Sequence, residues 1–471
     1  MPKLPNLLAT RRGRLSGFFG LYVCEGLPQG FTGTAVALEF KRMGMTGAAI
    51  GTFAATIMLP WAWKWLLGPV VDNFHIGRFG RRKQWILTAQ LGMMLTLVGA
   101  MLLFPQAVTG ADGVKSFVGL GLFSGMLLAH NVFAASQDVA IDALACETLD
   151  EGERGLANGL MFAGAQVGAA IGGSGVLFLK GVVGFSAASM VVPLLLAGIM
   201  AMVIFLIIEG NHTRLGVDGK EAPKRAAVEV FREAGGYLVD VVKVFFGTKR
   251  GFLGLLVAVV PTGGMALSLT VSTVLTPTLG MTDKEIAALG LVSSLVFTVC
   301  CMTGGFLSDR FGRRLTLALF ALGTLVPTLW MAWRLGGEGW TMPLPASADG
   351  SWPRQEVLIK AWWIAAIAYS VFNGLLYGIR TALFMDIVEP KIAATQFTAC
   401  MALLNLVTIY CYWWQGKAVT PVADGGWGLS YQSIFLIDAA LGTVFIFILP
   451  FLKPRNFEER AEVGVVGNEV I

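Results

Sequence analysis

Long apolar runs alternate along the chain with short polar joints. Twelve such runs stand out, over 15–38, 46–69, 85–104, 115–145, 155–180, 186–208, 251–278, 284–307, 315–335, 358–387, 395–416 and 431–452. Each is long enough for a spanning helix, which needs about 20 apolar residues. Backbone in lipid satisfies its own hydrogen bonds, which leaves helices or a closed barrel. Barrel strands alternate inward and outward over roughly ten residues, whereas these runs are longer and continuous. The pattern predicts an all-α polytopic membrane protein of twelve helices.

Composition agrees. Of 471 residues, 55% are hydrophobic and 14% charged, against about a quarter charged in soluble domains. Mean hydropathy is +0.69. Basic residues cluster in alternate joints: Arg11, Arg12 and Arg14; Arg78, Arg81, Arg82 and Lys83; several between 214 and 250; and Arg310, Arg313 and Arg314. The positive-inside rule puts those joints in the cytoplasm. Both termini are then cytoplasmic, in the inner (plasma) membrane. The net charge of +5 follows from this topology, and no nucleic-acid partner is expected. No small-residue cleavage site follows the first basic cluster, so a removable signal is not expected. The six cysteines show no metal spacing and read as small buried apolar residues. Neither a cofactor nor a metal is expected.

The longest inner joint, 209–250, can form an amphipathic surface helix around Ala226, Val230, Phe231, Leu238 and Phe245. It divides a six-helix half, 1–208, from a second, 251–452, and a polar tail follows at 453–471. The halves echo each other. GRFGRR at 77–82 returns as DRFGRR at 309–314, each after the second span of its half. DALACETLDEGERGLANG at 142–159 lies over TALFMDIVEPKIAATQFT at 381–398. Two six-helix halves around a midplane site are a secondary-transporter architecture.

The run Gly305-x-Leu307-x-Asp309-Arg310-x-Gly312-Arg313-Arg314 resembles the loop signature of the major facilitator superfamily. GLPQG at 26–30, PWAWKWLLGPVVD at 60–72, SQDVAIDA at 136–143, ERG at 153–155 and ATQF at 394–397 narrow the resemblance to its AmpG-type branch. That branch includes muropeptide permeases, the eukaryotic acetyl-coenzyme A transporter and some siderophore importers. The resemblance implies a monomeric transporter of a small-molecule substrate.

The basic joints supply candidate gates. Asp309 can face a neighbouring helix N-terminus, and Arg313 or Arg314 can pair with it or with the Asp386/Glu389 region. Asp72, Arg81 and Arg82 would act likewise against Glu147 or Glu153, with Arg154 beside them. A solvated topology marker is the plainer reading of Arg310, Gly312 and their neighbours.

Ionisable residues at membrane depth are functional candidates. Glu25 precedes Pro28, which weakens its helix; it reads as a proton site beside an unwound turn, or as the structural partner of a cation such as Lys64. Asp138 and Asp142, four apart, share a helix face with His130 two turns away. They form a proton relay, or they gate the cytoplasmic end. Lys64, among three tryptophans, either snorkels to the interface or anchors an anionic substrate. Arg380 either binds a substrate carboxylate or phosphate bidentately or pairs with Asp386 or another buried acid. Asp438 reads as a helix-packing residue. Gln166, Asn373, Tyr377, Asn405 and Trp413 are polar and aromatic candidates for a sugar- or siderophore-binding cavity.

Other classes fit less well. There is no phosphate-binding GxxxxGK[ST] loop for ATP-driven pumping. A membrane-embedded enzyme would need a motif such as HExxH or a serine elbow, and neither occurs. A non-transporting sensor would bind without flux. The leading expectation is a proton-coupled importer of an anionic peptidoglycan fragment, with siderophore import as the alternative.

Overall fold

A computed structural model describes residues 4–68, 71, 80–110, 115–209, 232, 235–236, 239, 242–243, 245–340, 352–387 and 393–452. Twelve helical columns fill these residues. Column α1 comprises Arg11–Gly30, a π-helical turn at Phe31–Val36, and Ala37–Arg42. Then come α2 (Gly47–Ala62), α3 (Arg81–Leu102) and α4 (Leu120–Thr148). Column α5 joins Glu151–Ala170, a π-helical turn at Ile171–Gly175, and Val176–Val183. Helix α6 is Val191–Leu206, and α7 is split into Lys249–Val259 and Thr270–Thr278. The rest are α8 (Asp283–Phe311), α9 (Arg313–Gly337), α10 (Glu356–Ile387), α11 (Ala393–Val419) and α12 (Tyr431–Ile448).

Seven columns (α3, α5, α6, α8, α9, α10 and α12) are apolar and unbroken enough to cross a membrane by length and composition alone. Of the other five, α1 carries a π-turn, α2 ends just beyond Pro60 and α7 is split in two.

The structure corrects four local expectations. The fourth run does not begin as helix at 115: Lys115–Val118 is strand β2, paired antiparallel with β1 (Gln106–Thr109). The helix starts only after Gly119, whose φ is +85°. The seventh run is not continuous, because Pro261, Gly263 and Gly264 open it over 260–269. The second run leaves the α-helix after Ala62, two residues beyond Pro60, and re-forms as one 3-10 turn, Lys64–Leu66. Finally, no unwound turn follows Glu25. Pro28 stays inside the helix, and the distortion appears three residues later as the π-turn. The amphipathic helix expected in 209–250 lies mostly outside the described residues, as does the 453–471 tail.

The repeated FGRR motif has one backbone solution. Gly80 (φ +98°, ψ 145°) and Gly312 (φ +90°, ψ 132°) each occupy the residue before a helix. That region is open essentially to glycine alone. At Gly312 it lets the chain pass from α8 to α9 within one residue, and at both sites the arginines open the next helix.

Helices α1 and α5 pack closely. A Cβ at Gly164, Gly168 or Gly172 would overlap the carbonyls of Phe19, Val23 or Leu27. The spacing of four puts these glycines on one stripe, as in small-residue membrane interfaces. Gly159 faces open space instead, so it takes no part in this close packing. Gly168→Val is expected to lower the apparent melting temperature in detergent by several degrees, and Gly159→Ala to leave it unchanged; thermal unfolding followed by size-exclusion fluorescence checks both.

Candidate functional site

A cavity of about 460 Å³ lies among α1, α5, α7, α8, α10 and α11. Its walls are hydroxyl-rich: Ser268, Ser272, Thr273 and Thr276 come from α7 and its break, and Ser293 and Ser294 from α8. Gln166, Asn373, Tyr377 and Arg380, four of the expected binding residues, meet on it. Such a pocket suits a small polar molecule in size. Among the described lining residues, Arg380 carries the charge. Its Nε is buried without a hydrogen-bond partner, and its guanidinium lies 5.6 Å from the Tyr377 ring centre. The side chain of Asp386, its expected alternative partner, lies outside the described residues. Tyr377 also meets Phe162 of α5 and Phe297 of α8 edge-on, at 5.4 and 5.6 Å. Tyr369 hydroxyl and Ser268 Oγ are 3.2 Å apart.

The other three binding candidates, Trp413, Asn405 and Lys64, lie elsewhere. Trp413 is 44% exposed on the outside of α11 and meets Trp427 edge-on at 5.9 Å. It faces away because α11 turns its small and polar residues toward α2. Asn405 donates from Nδ2 to the Trp61 carbonyl at 3.0 Å, tying α11 to α2 rather than lining the cavity.

A second polar group lies in the core of α1, α2 and α4. Lys64 Nζ is 2.7 Å from Asp138 Oδ2 and lies over the Trp61 ring at 5.9 Å. Trp61 Nε1 donates to Asn131 Oδ1 at 2.8 Å. Tyr22 hydroxyl donates to Asp142 Oδ1 at 2.7 Å. Glu25 accepts from Gln29 Nε2 at 3.3 Å through Oε1, while its Oε2 is buried without a donor. Glu25 also sits beside Asp138 and within electrostatic reach of Lys64 and Asp142. The structure therefore pairs Lys64 with a carboxylate, and it places Asp138 and Asp142 against Lys64 and Tyr22. His130 stands apart, fully buried with Nδ1 2.9 Å from the Met93 carbonyl and Nε2 unpartnered. No hydrogen bond among the described residues joins it to Asp138 or Asp142.

At the basic end, Arg81 and Arg82 both bond Glu147 Oε1 at 2.8 Å, one of the two acids expected. Glu153 pairs elsewhere. Arg14 grips it with Nε at 2.9 Å and Nη2 at 2.7 Å, because α5 begins beside the start of α1. The bidentate hydrogen bonds hold the Glu153 carboxyl below the usual carboxylate range. Arg314 donates to the Leu452 carbonyl at 2.8 Å; the side chain of Asp386, and Glu389, its expected partners, lie outside the described residues. Arg310 lies over Phe311 at 5.8 Å. Asp72, and the side chains of Asp309 and Arg154, lie outside the described residues.

The opposite end carries a network the sequence reading missed. Lys180 of α5 bonds both Glu39 of α1 and Asp283 of α8, at 2.5 and 2.7 Å. Arg42 of α1 bonds Asp283 at 3.0 Å and the Met281 carbonyl at 2.6 Å. These side chains are about one-fifth to one-quarter exposed. The available signal was a set of opposite charges at the ends of three apolar runs, on the side where charge is otherwise sparse.

Comparisons with known proteins fit this geometry. The Major Facilitator Superfamily model matches residues 18–410. A protein of Rickettsia conorii named "Putative transporter AmpG 4" is 25% identical over 452 residues, covering 94% of this chain and 97% of that one. The "Anhydromuropeptide permease" of Escherichia coli is 23% identical over 443 residues, covering 90% and 77%. Among solved structures, a D-xylose-proton symporter superimposes with a TM-score of 0.63 at 12% identity, covering 93% of this chain and 96% of that one. A partially occluded inward-open form of the xylose transporter XylE from E. coli gives 0.60, also at 12% identity, covering 93% and 98%. The chain is a multi-pass membrane transporter that belongs to the Major Facilitator Superfamily.

Proposed function

We propose that the protein imports an anionic, sugar-containing peptidoglycan fragment across the inner membrane together with protons. One observation carries this reading: a hydroxyl- and amide-lined cavity has Arg380 as its charge among the described residues, with a buried donor unpaired. Hydroxyls and amides suit a glycan, the Tyr377 face suits a sugar ring, and a guanidinium binds a carboxylate as a planar fork. The names of the relatives point to the same substrate class. Protons are the coupling ion because three carboxyls, Glu25, Asp138 and Asp142, share Lys64 as their cation. Like charges that close, in a site with little water, give the group capacity to take up protons. Segments 1–208 and 251–452 rock about the cavity as monomer halves, with the basic end in the cytoplasm and Asp309 and Asp72 gating that end.

The test is uptake of labelled anhydro-muropeptide into proteoliposomes. An inward pH gradient is expected to drive accumulation. Arg380→Gln should raise KM by about tenfold or more, the worth of a charged hydrogen bond, and Arg380→Lys should recover part of it. No uptake by folded protein rejects the muropeptide reading. A siderophore panel in the same vesicles then tests the second reading, which rests on the aromatic walls Trp362, Tyr369 and Tyr377.

A further inference from the structure

Asp438 lies in the middle of α12, is 3% exposed, and neither lines the cavity nor pairs with a described cation. Its Oδ2 accepts from the Met265 and Ala266 N–H groups at 2.7 and 3.0 Å. Its Oδ1 accepts from Gln415 Nε2 at 3.4 Å. Both backbone donors belong to the break in α7. That break is pinned at two further points: Gly263 N–H donates to the Gly442 carbonyl at 3.0 Å, and Gly264 N–H to Thr324 Oγ1 at 2.9 Å. Gly263 has φ +83°, and a Cβ at Gly442 would overlap its carbonyl. Non-helical backbone at membrane depth survives only where other groups satisfy it. Here the same segment supplies Thr262, Met265, Leu267 and Ser268 to the cavity wall.

We propose that Asp438 is a positioning residue for substrate selection: by accepting the two freed N–H groups of the α7 break, it sets the shape of the wall that carries Ser268. Substrate contacts that wall, not Asp438, so the carboxylate acts through geometry. The substrate arm of the test rests on the proposed muropeptide reading; the labelling arm does not.

Ser268→Cys places a thiol on the cavity wall. Its rate of modification by a small maleimide, above the background of the native cysteines, is measured alone and with Asp438→Leu or Asp438→Asn. KM and kcat for labelled anhydro-muropeptide are measured for the same two variants without the cysteine. Asp438→Leu leaves both N–H groups unpaired and should change the labelling rate severalfold and raise KM about tenfold, with kcat little altered; that factor is one buried hydrogen bond. Asp438→Asn keeps a carbonyl that accepts both and should restore both readouts. Unaltered labelling and KM in Asp438→Leu would overturn the proposal. So would an Asn variant as defective as Leu, since charge rather than acceptor geometry would then matter. Should the Leu variant not fold, Thr324→Val removes the neighbouring pin and should shift labelling in the same sense; no shift there overturns the proposal too. If the wild type takes up no muropeptide, the functional reading fails while the labelling result still decides the role of Asp438.

Discussion

Lys180→Met is expected to open the end of the protein opposite the basic joints. Lys180 holds Glu39 and Asp283 together, so its charge links α1 and α5 to α8. Without it, Glu39 loses its described cation and Asp283 keeps Arg42 alone. Charge-assisted bonds contribute about 1.5–3 kcal/mol each when dry. Partial exposure to water reduces that, leaving about 1–2 kcal/mol, or a shift of about 5- to 30-fold between closed and open forms. A cysteine at Ser272, on the cavity wall, reports the shift. Its labelling by a membrane-impermeant thiol reagent, added from that face, should rise about tenfold in Lys180→Met. Lys180→Arg, which retains the charge, should label like the parent. An unchanged rate in the methionine variant would mean that the network does not keep this face shut.

Glu25→Gln is expected to uncouple uptake from the pH gradient. Glutamine fills the same space, and its carbonyl can still accept from Gln29, as Glu25 Oε1 does. What it removes is the titratable group facing Asp138. Accumulation driven by an inward pH gradient should fall to the level seen without a gradient, while exchange of labelled for unlabelled substrate continues. Asp142→Asn keeps an acceptor for the Tyr22 hydroxyl and serves as the comparison. Accumulation that still follows the gradient in Glu25→Gln would exclude Glu25 as the proton carrier.

Apolar runs placed the twelve columns, though not their breaks and ends, because a helix in lipid satisfies its hydrogen bonds within its own segment. The glycine turns were legible for the same reason. FGRR recurs, and Gly80 and Gly312 adopt one conformation that almost no other residue allows. The Gly-rich, Pro-bearing stretch at 260–269 could have announced the break in α7, but a hydropathy window smooths it away.

Partner choice was not legible. Lys64 finds Asp138 across 74 positions, Lys180 finds Asp283 across 103, and Arg42 finds the same carboxylate across 241. Nothing local distinguishes Glu153, which meets Arg14, from Glu147, which meets Arg81 and Arg82. Trp413 and Tyr377 are equally good aromatic candidates as letters; only the rotation of α10 and α11 puts one on the cavity and the other outside. A helix's existence is a property of its own stretch of chain. Which face it buries, and which charge it meets there, depends on how closely the columns pack, and that was decided by the tertiary structure.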